Sequence, residues 1–149
     1  MLEYALNQRG VIQNRARKQQ IADMSGLRFN KITPTDLDGF IDFDNRLFVF
    51  IEGKFIGTPV LYGQGLSIDR LCDACHTPPK RYAFAIIADH HHPTGEDIDF
   101  AHMTVRTIRQ NQRWTPPMHR TLTVRQAIDR MVAFVENKQG KSLYTRGAA

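Results

Sequence analysis

Long hydrophobic runs, cysteine and tryptophan are scarce in this chain. No apolar stretch among its 149 residues approaches the ~20 needed to cross a bilayer as a helix, so no membrane-spanning helix is expected. The N-terminus shows no basic-then-apolar leader, so a cytoplasmic location is expected. Cysteine occurs twice and tryptophan once, and thiols in the cytosol are expected to stay reduced. There is no repeat, no low-complexity tract and no interdomain linker. A single domain over residues 1–149 is expected, large enough to bury a core.

Acidic residues are also in the minority. Fifteen Asp and Glu face twenty Lys and Arg, for a net charge of +5, a balance that favours a polyanionic partner. Arg9, Arg15, Arg17, Lys18, Arg28 and Lys31 crowd the first 31 residues against only Glu3 and Asp23, and Lys138, Lys141 and Arg146 make the tail basic. Phosphate contacts by such groups give affinity without reading sequence. A solvated basic helix face is the plain alternative.

The most informative stretch is Asp38-Gly-Phe-Ile-Asp-Phe-Asp-Asn-Arg-Leu-Phe-Val-Phe-Ile-Glu52-Gly-Lys54. Strand-forming residues flank an Asp44-Asn45 turn signal, which reads as a β-hairpin. With an odd loop centred on Asn45, Asp38 lies opposite Glu52 and Phe40 opposite Phe50. Because side chains alternate faces, Asp38, Glu52 and Lys54 then share one face. A two-residue turn would put Asp38 on the other face. Burying unpaired charges is costly, so three charged groups converging at one end of a hairpin ask for a reason. Two carboxylates suit a hard divalent cation, and a nearby lysine suits a water beside it. Asp42 falls near the turn and Asp36 one step beyond the pair, so both rank below Asp38. The plain alternative makes Glu52 and Lys54 solvated ends of an edge strand.

Asp36-Leu-Asp38 after Pro34, Glu52-Gly-Lys54, and Gly63-Gln64 opening the next helix resemble the PD-(D/E)xK nucleases, a superfamily that includes restriction endonucleases, Holliday-junction resolvases and recombination exonucleases. The likeness covers roughly residues 30 to 90 and rests on a short, degenerate motif. It implies a restriction-endonuclease-like α/β fold, a mixed β-sheet flanked by helices. It further implies that Asp38 and Glu52 bind Mg2+ or Mn2+, and that Lys54 positions the nucleophilic water. Gln64 would help hold the active site or the nucleic acid strand. A further acidic ligand from the first helix would have to be Glu3, with Asp23 the other acid upstream of Asp36.

The remaining elements follow from periodicity. Residues 2 to about 23 read as helical, 37–43 and 47–56 as the hairpin strands, and 62–75 as a helix with Gln64, Ile68, Leu71 and Cys75 on one face. The apolar run 82–88 reads as a central strand buried on both sides and joined to the hairpin by a parallel crossover. Residues 102–108 alternate as a strand, and Thr123-x-x-Gln126 opens a last helix to about 138. Cys72-x-x-Cys75-His76 matches the haem-attachment pattern, but that attachment requires export, and both cysteines read as small core residues. A zinc site there lacks an obvious fourth ligand. Among His90, His91 and His92, His90 is the one expected just beyond a strand end, where ligand sites in α/β sheets lie. Trp114 is expected to anchor a packed loop before the last helix.

The reading that results is a Mg-dependent deoxyribonuclease, an endonuclease or exonuclease hydrolysing phosphodiester bonds in phage or prophage DNA recombination, repair or processing. DNA is the expected partner, and a resolvase-like enzyme would act as a homodimer. The rival from another class is a catalytically inactive, basic DNA-binding or interaction protein with the same fold. A third reading is a metal- or haem-binding redox protein built on Cys72, Cys75 and His76.

Overall fold

The computed structural model describes residues 15–20 and 22–144. They fall into two compact units, one within Met1–Pro34 and one comprising Thr35–Ala149. In the first, a short helix α1 covers Arg15–Gln19, a 3-10 turn covers Ser25–Leu27, and Phe29 pairs with Ile32 across a tight turn. The expected helix from residue 2 falls largely outside the described residues, as does Glu3.

The second unit is a mixed α/β structure built on a five-stranded sheet in the order β1-β2-β3-β4-β5, with β1 Gly39–Phe43, β2 Leu47–Phe55, β3 Tyr82–His90, β4 Thr104–Gln110 and β5 Arg113–Thr115. β1 and β2 form the antiparallel hairpin, β2 and β3 run parallel, and β4 and β5 add antiparallel neighbours. Helix α2, Tyr62–Cys75, makes the crossover from β2 to β3, which a parallel pair requires. Helix α3, Val124–Gln139, opens with the full Thr123/Gln126 capping box and ends at Gly140 in the left-handed conformation.

Strand alternation divides the core into two layers. Leu47, Val49 and Ile51, with Tyr82, Phe84, Ile86 and Ala88, face α3 and its Val124, Ala127, Ile128, Met131, Val132 and Val135. Phe50, Ala83, Ala85 and Ile87 face Ile68 and Cys72 of α2. With both faces of β3 covered, its run is apolar throughout rather than alternating. The same parity that turns Phe50 toward α2 carries Glu52 and Lys54 to that side.

Several expected details are corrected. β1 begins at Gly39 rather than residue 37, because the Asp38 carboxylate accepts the Gly53 N–H at 2.9 Å in place of a further backbone rung. On α2, Cys72 is buried while Leu71 is 43% exposed, so the packed stripe runs through Ile68 and Cys72. β3 extends to His90, which is its last residue rather than the first beyond it. Trp114 lies in β5, paired with Arg109 of β4, not in a loop.

Candidate active site

The β1–β2 turn has the three residues Asp44, Asn45 and Arg46 between paired Phe43 and Leu47. Asp44 and Asn45 take φ of 53° and 55°, a region that short polar side chains tolerate. The Asn45 N–H donates to Asp42 Oδ1 at 2.7 Å, so Asp42 belongs to the turn. The odd loop gives the expected register: Phe40 pairs with Phe50 and Gly39 with Ile51, and the Phe40 ring stacks on Phe50 with centroids 5.3 Å apart. One step further along that register, Asp38 meets the Glu52–Gly53 segment.

Glu52 is 3% exposed. Its Oε1 accepts from Gln64 Nε2 at 2.7 Å and from Lys54 Nζ at 2.7 Å. Lys54 Nζ also donates to Gln64 Oε1 at 2.8 Å, closing a three-membered ring of contacts. Gln64 sits in the first turn of α2, whose packing on the sheet aims it at the ends of β2. Glu52 Oε2 is buried with no hydrogen-bond partner, alone in this among side-chain N and O atoms of the described residues. Burial pushes the Glu52 carboxyl above the usual carboxylate range; Lys54 pulls it back, the nearby Asp38 charge adds to the rise, and the Gln64 hydrogen bond lowers it. Asp38 itself is exposed.

Asp89 and Arg106 join this region and were not anticipated. Asp89 is the β3 partner of Lys54 and shares its α2-side face. Arg106 of β4 binds the Asp89 carboxylate through Nε at 3.0 and 3.1 Å, and through a closer Nη2 contact. Its Nη1 donates to the Thr58 carbonyl at 2.8 Å, tying the β2–α2 loop to the strand ends. An acid ending the 82–88 run was the available signal.

The other nominated residues lie elsewhere. Asp36 is exposed, and Asp23 accepts the Ser25 N–H within the first unit. His90 packs edge-on against Phe55, and its Nδ1 accepts the His92 N–H at 3.3 Å. Cys72 lies in the apolar layer under α2, where burial pushes its thiol up to about 12. His76 Nδ1 accepts the Ala83 N–H at 3.0 Å, so Nε2 carries the proton and donates to Asn111 Oδ1 at 2.9 Å.

The orphaned Glu52 oxygen fits a cation, since a buried carboxylate oxygen without a donor is unfavourable unless something positive meets it. Among the described residues, no group of three or more His, Cys, Asp or Glu side chains is arranged to hold a metal. Asp38 and Glu52 would therefore hold it as a pair. Magnesium accepts such a site, because it retains waters and takes further oxygens from phosphate. Among the described residues, no helix is long and apolar enough to cross a membrane. Comparison of the chain with protein-family models, with curated proteins and with solved structures gave no match.

Proposed function

We propose that this chain is a divalent-metal-dependent nuclease of the PD-(D/E)xK type that hydrolyses phosphodiester bonds in DNA. The observation that carries the reading is Glu52, almost wholly buried at the end of β2 with one oxygen unpartnered, beside Lys54 and Gln64 and within electrostatic reach of Asp38. Asp38 and Glu52 hold Mg2+ or Mn2+, which when bound polarises a phosphate and eases deprotonation of water. Lys54 stabilises the negative charge that develops on the phosphate. Gln64 holds both Lys54 and Glu52 in place, so the lysine is positioned before substrate arrives. Asp38 is exposed and Lys54 partly so, leaving this edge open to a strand. The net charge of +5 supplies attraction for the phosphate backbone.

No accessory recognition module is evident in the described fold, which favours structure-selective or non-specific cutting. A cytoplasmic role in phage or prophage recombination, repair or genome processing follows by analogy with small stand-alone nucleases. A resolvase-type enzyme of this kind works as a homodimer.

One observation favours the rival reading, a catalytically inactive DNA-binding protein: Lys54 is already engaged by Glu52 and Gln64 within the fold. Labelled branched, single-stranded and duplex DNA, incubated with magnesium, manganese or chelator, separates the two. Metal-dependent cleavage supports the nuclease; binding without cleavage under every condition supports the silent protein.

A further inference from the structure

Next to the Glu52 site lies a cavity of about 330 Å3 that the metal chemistry does not use. Its walls come from the start of α2, from β3 and β4, and from β5, and include Tyr62, Leu66, Asp69, Ile87, Thr107 and Trp114. Two of its lining residues are immediate neighbours of the site. Ile87 is the β3 partner of Glu52, and Gly65, also in the wall, follows Gln64 in the chain. A strand whose phosphate meets Lys54 therefore has this cavity beside it.

The lining decides what enters. No lysine or arginine lines it, and its one carboxylate, Asp69, is paired with Arg109 at 3.4 Å, so nothing in the lining attracts a phosphate. Apolar walls and two aromatic side chains suit a flat, neutral group, and the volume falls at the small-molecule end of binding cavities, ~300–1,000 Å3. Trp114 is held in place rather than free: its Nε1 donates to Asp69 Oδ1 at 2.7 Å, and the Arg109 guanidinium lies 5.9 Å from the ring centroid. Arg109 in turn is fixed by Asp73 at 2.9 and 2.7 Å. Tyr62, by contrast, is 85% exposed at the mouth. A fixed aromatic within and an exposed aromatic at the entrance make a stacking site. The Asp69 carboxylate offers acceptor capacity for the N–H groups on a base edge.

We infer that this cavity takes a single unpaired nucleobase of the DNA strand whose backbone lies at Glu52 and Lys54. The substrate class is then DNA with unpaired or readily extruded bases, rather than fully paired duplex, since placing a paired base there requires it to leave the stack. The inference rests on the proposed nucleic-acid chemistry of the Glu52 site.

The test uses the full chain in chelator, so that no cleavage intervenes, and reads the emission of Trp114, the sole tryptophan. The probes are a single-stranded oligodeoxynucleotide, the blunt duplex of the same sequence, and a strand of abasic residues with the same phosphates. The single strand should quench Trp114, and the other two should bind without doing so. Tyr62→Ala should weaken single-strand binding about tenfold, as removal of one aromatic stacked on a base does, with duplex affinity unchanged and Tyr62→Phe restoring it. Equal quenching by the abasic strand overturns the inference, as does an unaltered Trp114 signal on strand binding, absence of strand binding, or unchanged affinity in Tyr62→Ala. Quenching without any metal-dependent cleavage refutes the nuclease chemistry alone; cleavage without quenching refutes the base pocket alone.

Discussion

Replacing Glu52 by Gln keeps the shape of a buried side chain, keeps an oxygen to accept from Gln64, and removes one of the two charges proposed to hold the cation. Two consequences can be separated. Without metal, the raised carboxyl pKa means that Glu52 favours the folded state most at pH below its ordinary value of 4.5, and that this contribution is lost as pH rises through the higher folded-state value. Gln does not titrate, so Glu52→Gln should gain stability relative to the parent across that window, upward from about 4.5. With metal, the order reverses. A ligand that binds only the folded state at about 100 times its Kd adds about 2.7 kcal/mol. In a unit the size of Thr35–Ala149, a Tm shift of ~4 °C accompanies each kcal/mol, giving about 10 °C in all. The parent should show that shift with magnesium, and the shift should shrink as pH falls through the Glu52 carboxyl, because protons then compete with the cation. Glu52→Gln should show little shift at any pH. Thermal melts with and without magnesium, repeated over a pH series, test both. An equal magnesium shift in parent and variant, or none in the parent, would refute the assignment of the cation to Glu52.

Three further outcomes are expected. Lys54→Ala should keep most of the magnesium-dependent Tm shift while lowering kcat by ~10²–10³, as loss of one charge-stabilising donor does; single-turnover kinetics beside the melts separate the two effects. Thiol labelling in native buffer should modify Cys75 well before Cys72, since Cys72 is buried and its thiol is pushed up to about 12; peptide mapping of the label shows the order. Changing Arg15, Arg17 and Lys18 together to Gln should flatten the dependence of log K for duplex DNA on log salt by about 0.9 for each phosphate no longer neutralised, measured by anisotropy titration. An unchanged slope would remove that basic segment from the binding surface.

The hairpin was legible in the chain because its local rules agree. Only an odd turn puts Asp38 and Glu52 on one face, and Asp44-Asn45 supplies the two residues able to take positive φ. Gln64 was legible for a similar reason, since a helix that packs an apolar stripe on the sheet carries its first-turn residue toward the strand ends. The Asp89–Arg106 pair was not, because its partners sit on different strands and meet only through the β3–β4 register, which includes a bulge between Ile87 and Ala88. Trp114 escaped as well. A strand of three residues carries too little alternation to be read, and its place is set by pairing to β4 and by the Asp69 acceptor on α2. The exchange of Leu71 for Cys72 on the packed face came from a helical phase that several small residues fit equally well. Glu52 itself was recognised by its charge in an apolar strand, but its unpartnered Oε2 depends on how tightly α2 closes over β2, which periodicity does not measure.

The most direct test is cleavage of labelled DNA by the parent, by Glu52→Ala and by Asp38→Ala, in magnesium and in chelator, with each variant first shown to fold by circular dichroism. Metal-dependent cleavage by the parent and its loss in both variants is the predicted result. Cleavage by Glu52→Ala at the parent rate, or no cleavage by the folded parent on branched, single-stranded and duplex substrates alike, would contradict the nuclease assignment.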